Sequence, residues 1–264
     1  MAIWPQVAFV RALSQDPAMT RSRAPASSGS PRFGVARVIS KRGLASRAQA
    51  CEWVRQARVR VNGQLVYDPE FPVRQDLDEI HIEGLDAAPQ ARIVLMLNKP
   101  RGLVTTTRDE RGRDTVYSCL EGAGLPWLAP VGRLDKASEG LLLFSNDPVW
   151  AARITSPDTG PLKTYHVQID RIPDAPLMAA LVAGVDVDAE QLRCHAARLL
   201  RAGAKHAWLE IVLDEGRNRQ IRRLLEAMNL SVLRLVRVAI GRLALGALPK
   251  GAWRRLDDDE LAML

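Results

Sequence analysis

From Ile93 onward the chain alternates strand-forming runs with a few helical ones, and that order most narrows the folds open to it. Ile93-Val94-Leu95-Met96-Leu97 has the length and β-branching of a buried strand, and Asn98-Lys99-Pro100-Arg101-Gly102 ends it in a turn. Further strands are expected at 140–145, 164–169, 207–213 and 233–240, with helices at 150–155, 175–183 and 218–228. The order mixes α and β without the regular repeat of a doubly wound sheet. Neither G-x-G-x-x-G nor G-x-x-x-x-G-K-[ST] occurs, so ATP and NAD are poor candidates as ligands.

The segment before it has a different grammar. Ser46-Arg47-Ala48-Gln49 has the S-x-x-Q form of a capping box, which starts a helix at Arg47 with Ala48, Cys51 and Val54 facing inward. At about 100° per residue, Arg47, Arg55 and Arg58 share a face suited to a phosphate backbone. Arg58-Val59-Arg60-Val61 then alternates like a strand, Asn62-Gly63 is a hairpin turn, and Gln64-Leu65-Val66-Tyr67 returns. Charge switches sharply here: 37–60 carries seven basic residues to one acidic, 68–86 seven acidic to one basic. Two surfaces are implied.

Over 264 residues, 37 Lys and Arg against 30 Asp and Glu leave +7, which favours a polyanionic partner without establishing one. Cys51, Cys119 and Cys194 are odd in number and never form a C-x-x-C pair, and His81, His166, His195 and His206 lack ligand spacing. A disulfide framework and a metal site are therefore not expected, and a reducing compartment fits. No apolar run reaches the roughly 20 residues that span a bilayer, so no membrane association is expected. Residues 1–34 are basic, rich in small residues and nearly free of carboxylates, which predicts a disordered tail; a targeting segment has the same composition.

The helix and hairpin, through Gly43-Leu44-Ala45-Ser46-Arg47 and Val59-Arg60-Val61-Asn62-Gly63, closely resemble the S-four RNA-binding domain over about 37–84. The run Gly132 to Asp147, GRLDKASEGLLLFSND, resembles the catalytic motif of RsuA-like pseudouridine synthases. Leu97-Asn98-Lys99-Pro100, Lys163-Thr164-Tyr165, the block EGRNRQIRR from Glu215 to Arg223, and Ile240-Gly241-Arg242-Leu243 through Pro249 are similar to that family's blocks, in order. The resemblance spans about 37–256. It implies an α+β protein: a tail over 1–34, a small helix–hairpin RNA-binding domain over 35–84, a linker over 85–92, and a mixed, largely antiparallel β-sheet catalytic domain flanked by helices over 93–264.

Read by itself, Gly132-Arg133-Leu134-Asp135 is a polar loop before a strand, suited either to a surface turn or to aiming a carboxylate. The resemblance implies that Asp135 is the nucleophile of a ribosomal RNA pseudouridine synthase, a cofactor-free isomerase. Breaking the bond between ribose and uracil nitrogen builds positive character on the sugar, which a carboxylate stabilises or captures, as in glycoside hydrolysis. It further implies that Arg222 pairs with Asp135, that Tyr165 stacks on the target base, and that Arg133 fills the gap left by a flipped-out uridine. Lys99 and Pro100 match the family's first block, and a structural turn explains them equally well. Lys41, Arg42, Arg47, Arg55, Arg58, Arg217, Arg219 and Arg223 are expected to face RNA phosphates. The Asn218-Arg219 pair is similar to the family's large-subunit branch. The expected partner is ribosomal RNA or an assembling ribosomal subunit, acted on by a cytoplasmic monomer. The competing readings are a non-catalytic ribosome-assembly protein and a hydrolase using Asp135 with Glu139.

Overall fold

The computed structural model describes residues 31–85, 91–107 and 109–264. The expected tail over 1–30 and most of the expected linker, 86–90, lie outside the described residues. Strand β1 (Arg32–Gly34) pairs antiparallel with a later strand, so residues 32–34, expected in the disordered tail, belong to the small domain.

Helices α1 (Val35–Lys41) and α2 (Arg47–Arg55) follow, then β2 (Val59–Val61), β3 (Gln64–Val66), β4 (Pro72–Arg74), which is the partner of β1, and β5 (Ile80–Ile82). The Ser46 hydroxyl accepts from the Gln49 N–H at 3.1 Å, so α2 begins where the sequence places it. Its inward face is Ala50, Trp53 and Val54, however, and Ala48 is exposed. Cys51 is half-buried against the same core, so of the expected stripe only Ala48 is turned outward. The helix ends because Ala57 takes φ 60°, with its N–H on Val54 O and that of Arg58 on Trp53 O. Arg58 thereby leaves the helix and the face it was expected to share with Arg47 and Arg55. The hairpin closes over Asn62 and Gly63, both at positive φ, as a two-residue loop requires.

The larger part contains β6 (Val94–Lys99), β7 (Ala129–Val131), β8 (Glu139–Ser145), α3 (Pro148–Thr155), β9 (Lys163–Ile169), α4 (Ala175–Ala183), β10 (Val185–Val187), β11 (Glu190–Leu192), β12 (Ala196–Ala202), β13 (Ala207–Leu213), α5 (Gln220–Ala227), β14 (Val232–Ile240), β15 (Leu243–Ala244), β16 (Trp253–Arg255) and α6 (Asp258–Leu261). Nine strands form one sheet in the order β12-β13-β9-β14-β8-β6-β16, with β15 beside β14 and β7 beside β8. Among the described residues, β8 with β14 is its one parallel pair.

Hydrophobic pattern explains the layering. Leu95 and Leu97 of β6 join one core with α4 and α5, whereas Val94 and Met96 join a second core with α3. Leu142 and Phe144 of β8 face the first, Leu141 and Leu143 the second. Both strands therefore read as continuous apolar runs, since both their faces are covered. Burying each such leucine contributes roughly 1.5–3 kcal/mol. Strands β9 and β13 instead alternate buried with half-buried residues, because helices cover only one of their faces. Gly140 sits where β8 meets β14: at φ +99°, an added β-carbon would lie 2.2 Å from Arg237 O. Only glycine permits that approach.

Candidate active site

The loop between β7 and β8 carries Asp135, and the segment after β6 holds that loop from beneath. Lys99 is fully buried, and its ammonium donates to the carbonyls of Pro100 (3.1 Å), Asp135 (3.2 Å) and Ser138 (2.8 Å). Buried Thr105 donates its hydroxyl to Leu134 O at 2.7 Å and accepts from Leu134 N. Gly102 N donates to Lys136 O, and Ser138 N to Asp135 O. The backbone around Asp135 is thus fixed by donors from three residues of one segment, while the side chain itself is 37% exposed. Such a loop is preorganised rather than mobile. Burial drives the Lys99 pKa down to about 8, with Asp135 and Glu139 acting in the opposite direction.

Asp135 opens into a cleft of about 720 Å³ whose walls include Arg133, Tyr165, Arg217, Arg219 and Arg222. Tyr165, on β9, is 9% exposed and belongs to the core facing α5, with an edge on the cleft. Arg133 is exposed on the rim. The ion pair on Asp135 is made by Arg219, at 3.5 Å, and not by Arg222 as expected. Arg219 caps α5 in the left-handed conformation, φ 49°, which turns its side chain back over the loop. Arg222 lies one turn into α5, where its Nη2 donates to Ala137 O at 3.2 Å and its buried Nε has no partner. Burial lowers the Arg222 pKa, Arg219 adds to that, and Asp135 opposes it. Arg222 therefore lies within electrostatic reach of Asp135 without pairing to it.

The remaining basic candidates divide. Arg217, exposed on the cleft, pairs with Glu215 and donates to Gln191 O, and Arg223 pairs with Glu190 and Asp188. In the first domain Arg42 donates to Gln75 O and Asp78 O, Lys41 lies over the Phe33 ring, and Arg58 lies over the Trp53 ring with a hydrogen bond to Glu83 O. Arg47 pairs with Glu70 on an exposed surface, and Arg55 is exposed. Glu139 is 2% exposed and is gripped by Arg234 at 3.0 and 3.1 Å and by Lys250. Burial raises its pKa, but hydrogen bonds from Arg234 and Lys250 outweigh that and hold it below the usual carboxylate range. Glu139 is also not among the residues that line the cleft of Asp135, so the two carboxylates do not share one site. Sequence reasoning missed Thr105 and the pairing of Arg219, since neither long-range contact leaves a local pattern. Among the described residues no group of three or more His, Cys, Asp or Glu is arranged to hold a metal ion, and no helix is long and apolar enough to cross a membrane.

A firmly held aspartate in an arginine-walled cleft, beside a small helix–hairpin domain, has the character of an enzyme acting on RNA. The comparisons say which kind. Residues 93–227 match the RNA pseudouridylate synthase family and 34–78 match the S4 domain. An uncharacterised RNA pseudouridine synthase of Aquifex aeolicus (strain VF5) is 33% identical over 87% of this chain and 92% of its own length. The ribosomal large subunit pseudouridine synthase B of Bacillus subtilis (strain 168) is 32% identical over 86% and 93%. A crystal structure of a pseudouridylate synthase superposes with a TM-score of 0.61 at 29% identity, covering 88% of this chain and 99% of that one. The chain belongs to the RNA pseudouridine synthases of the RsuA-like type: it is an isomerase with an N-terminal RNA-binding domain.

Proposed function

We propose that this synthase converts a uridine of ribosomal RNA to pseudouridine, with Asp135 as its nucleophile. The observation that carries the assignment of Asp135 is its placement: a solvent-reachable carboxylate on a loop pinned by Lys99 and Thr105, at the floor of the cleft beside Tyr165. As the bond from ribose carbon one to uracil nitrogen one breaks, Asp135 either captures the sugar or helps remove its neighbouring ribose proton. The uracil stays in the cleft and turns, carbon five bonds to the sugar, and the carbon-five proton is lost while nitrogen one gains one. Atoms and electrons balance within the nucleotide, so the reaction needs no cofactor.

Tyr165 supplies the ring against which the flipped base stacks, and Arg133 on the rim fills the space the base vacates. Arg219 holds Asp135 in the free enzyme, with Arg222 close enough to take its place. Residues 35–84 grip structured RNA, with exposed Arg47 and Arg55 and neighbouring Lys41 and Arg58 facing phosphates, and 93–264 form the catalytic domain. The protein acts as a cytoplasmic monomer. Ribosomal RNA, of the large subunit first, is supported by the printed name of the Bacillus subtilis relative.

The test is to react the purified protein with large- and small-subunit RNA and with assembly intermediates, digest to nucleosides and map the product. New pseudouridine in large-subunit RNA is expected. Free uracil would identify a hydrolase, and no product on either RNA would favour an assembly role without catalysis.

A further inference from the structure

Two cations of the same cleft remain unused by the chemistry above. Arg237, on β14, is 5% exposed; its Nε donates to Leu141 O at 2.7 Å, and one terminal nitrogen is buried without any partner. Lys163, at the start of β9, is half-buried, and no hydrogen bond or ion pair holds its ammonium among the described residues. Both line the cleft that holds Asp135. They are also neighbours. Arg237 stands opposite Tyr165 in the pairing of β14 with β9, and Lys163 lies two residues before Tyr165, hence on the same face of its strand. Burial and the positive charge of Arg237 together lower the Lys163 pKa, with Asp214 opposing them. Two like charges are thus drawn into one wall, one of them with an orphaned donor, and Asp214, whose charge opposes the shift, forms its ion pair with His195 rather than with either. Of the carboxylates lining the cleft, Glu215 is engaged by Arg217 and Gln220 and Asp135 by Arg219, while Asp158 makes no ion pair with Lys163 or Arg237 among the described residues.

We propose that Lys163 and Arg237 form an anion subsite flanking Tyr165 that receives a phosphodiester of the target nucleotide. The inference rests on the proposed reading of the cleft as the place where the uridine enters, and it deepens that reading. A base stacked on Tyr165 has its own backbone phosphates within one nucleotide's reach, and the subsite lies one strand residue-pair along β9 and directly across to β14. A phosphate there supplies the counter-charge that offsets the repulsion between Arg237 and Lys163. It also fixes the sugar over Asp135, because base and phosphate are then both held.

Tritium release from ribosomal RNA labelled at carbon five of uracil is followed as a function of salt for the wild type, Lys163→Met and Lys163→Arg, with filter binding of the same RNA in parallel. For Lys163→Met the expected results are a KM raised about tenfold and a slope of log KM against log salt shallower by about one unit, with Lys163→Arg restoring the slope. A merely structural lysine would lower the melting temperature without moving the slope. An unchanged slope for Lys163→Met in an active enzyme overturns the subsite and leaves the synthase reading intact. If the wild type releases no tritium, the synthase reading fails instead, and the filter-binding slopes still decide whether Lys163 meets a phosphate.

Discussion

Replacing Lys99 with methionine would leave the carbonyls of Pro100, Asp135 and Ser138 without their donor inside the protein. Lys99→Met is predicted to cost about 2–4 kcal/mol in urea unfolding at neutral pH, the penalty of orphaned buried acceptors; a loss below about 1 kcal/mol would contradict the role given to it. The same residue sets a pH dependence. Its pKa is about 8 in the native state and 10.5 ordinarily, so between those values the unfolded chain binds more protons at this position than the folded one. Stability then rises with pH through that window, and the gap between wild type and Lys99→Met widens by about 2 kcal/mol from pH 7.5 to 9.5. A constant or shrinking gap would show that Lys99 is not held in its charged form against burial. Lys99 sits in a motif that also reads as a plain turn. What the sequence hides is that its ammonium reaches a loop 36 residues away. The pairing of Arg222 with Asp135 was what the family resemblance implied, and neither that nor the local sequence reveals the left-handed cap from which Arg219 reaches Asp135.

At the scale of elements, β8 and β14 meet through Gly140, and Gly140→Ala places a methyl group against the Arg237 backbone in a conformation that alanine resists. A loss of about 3 kcal/mol or more in calorimetry is expected, with a falling yield of folded protein. Ala57 is the opposite case. It ends α2 at φ 60°, so Ala57→Gly is predicted to stabilise the protein by about 0.5–1 kcal/mol, read as a higher urea midpoint; a lower midpoint would contradict the cap. Most long elements were legible: Ala207–Leu213 and Ala175–Ala183 stand where alternation and helical composition place them, whereas β12, a largely exposed strand at the sheet edge, shows no apolar alternation and was not expected. The strands β1, β4, β5, β10, β11 and β16 were not, because two or three residues carry no period and exist only through their partners. On α2, Val54 and half-buried Cys51 pack inward as expected, while Ala48 is exposed and Ala50 and Trp53 complete the buried face.

For the molecule as a whole, mixed strands and helices indicate an α+β class, while the order of motifs, rather than any physical property, points to the reaction. Net charge does not say which cations are free: Arg217 pairs with Glu215, Arg223 with Asp188 and Glu190, and Arg234 with buried Glu139. What geometry adds is a division of labour, in which buried lysine and threonine hold the loop and arginines stand around the reachable carboxylate of Asp135. The most direct test compares the purified wild type with Asp135→Asn for tritium release from ribosomal RNA labelled at carbon five of uracil, without added cofactor. Asp135→Asn keeps the size of the side chain and the loop's backbone bonds, so it is predicted to fold and bind RNA as the wild type does while releasing no tritium. Release by the variant at a rate comparable to the wild type would contradict the assignment of Asp135 as the nucleophile.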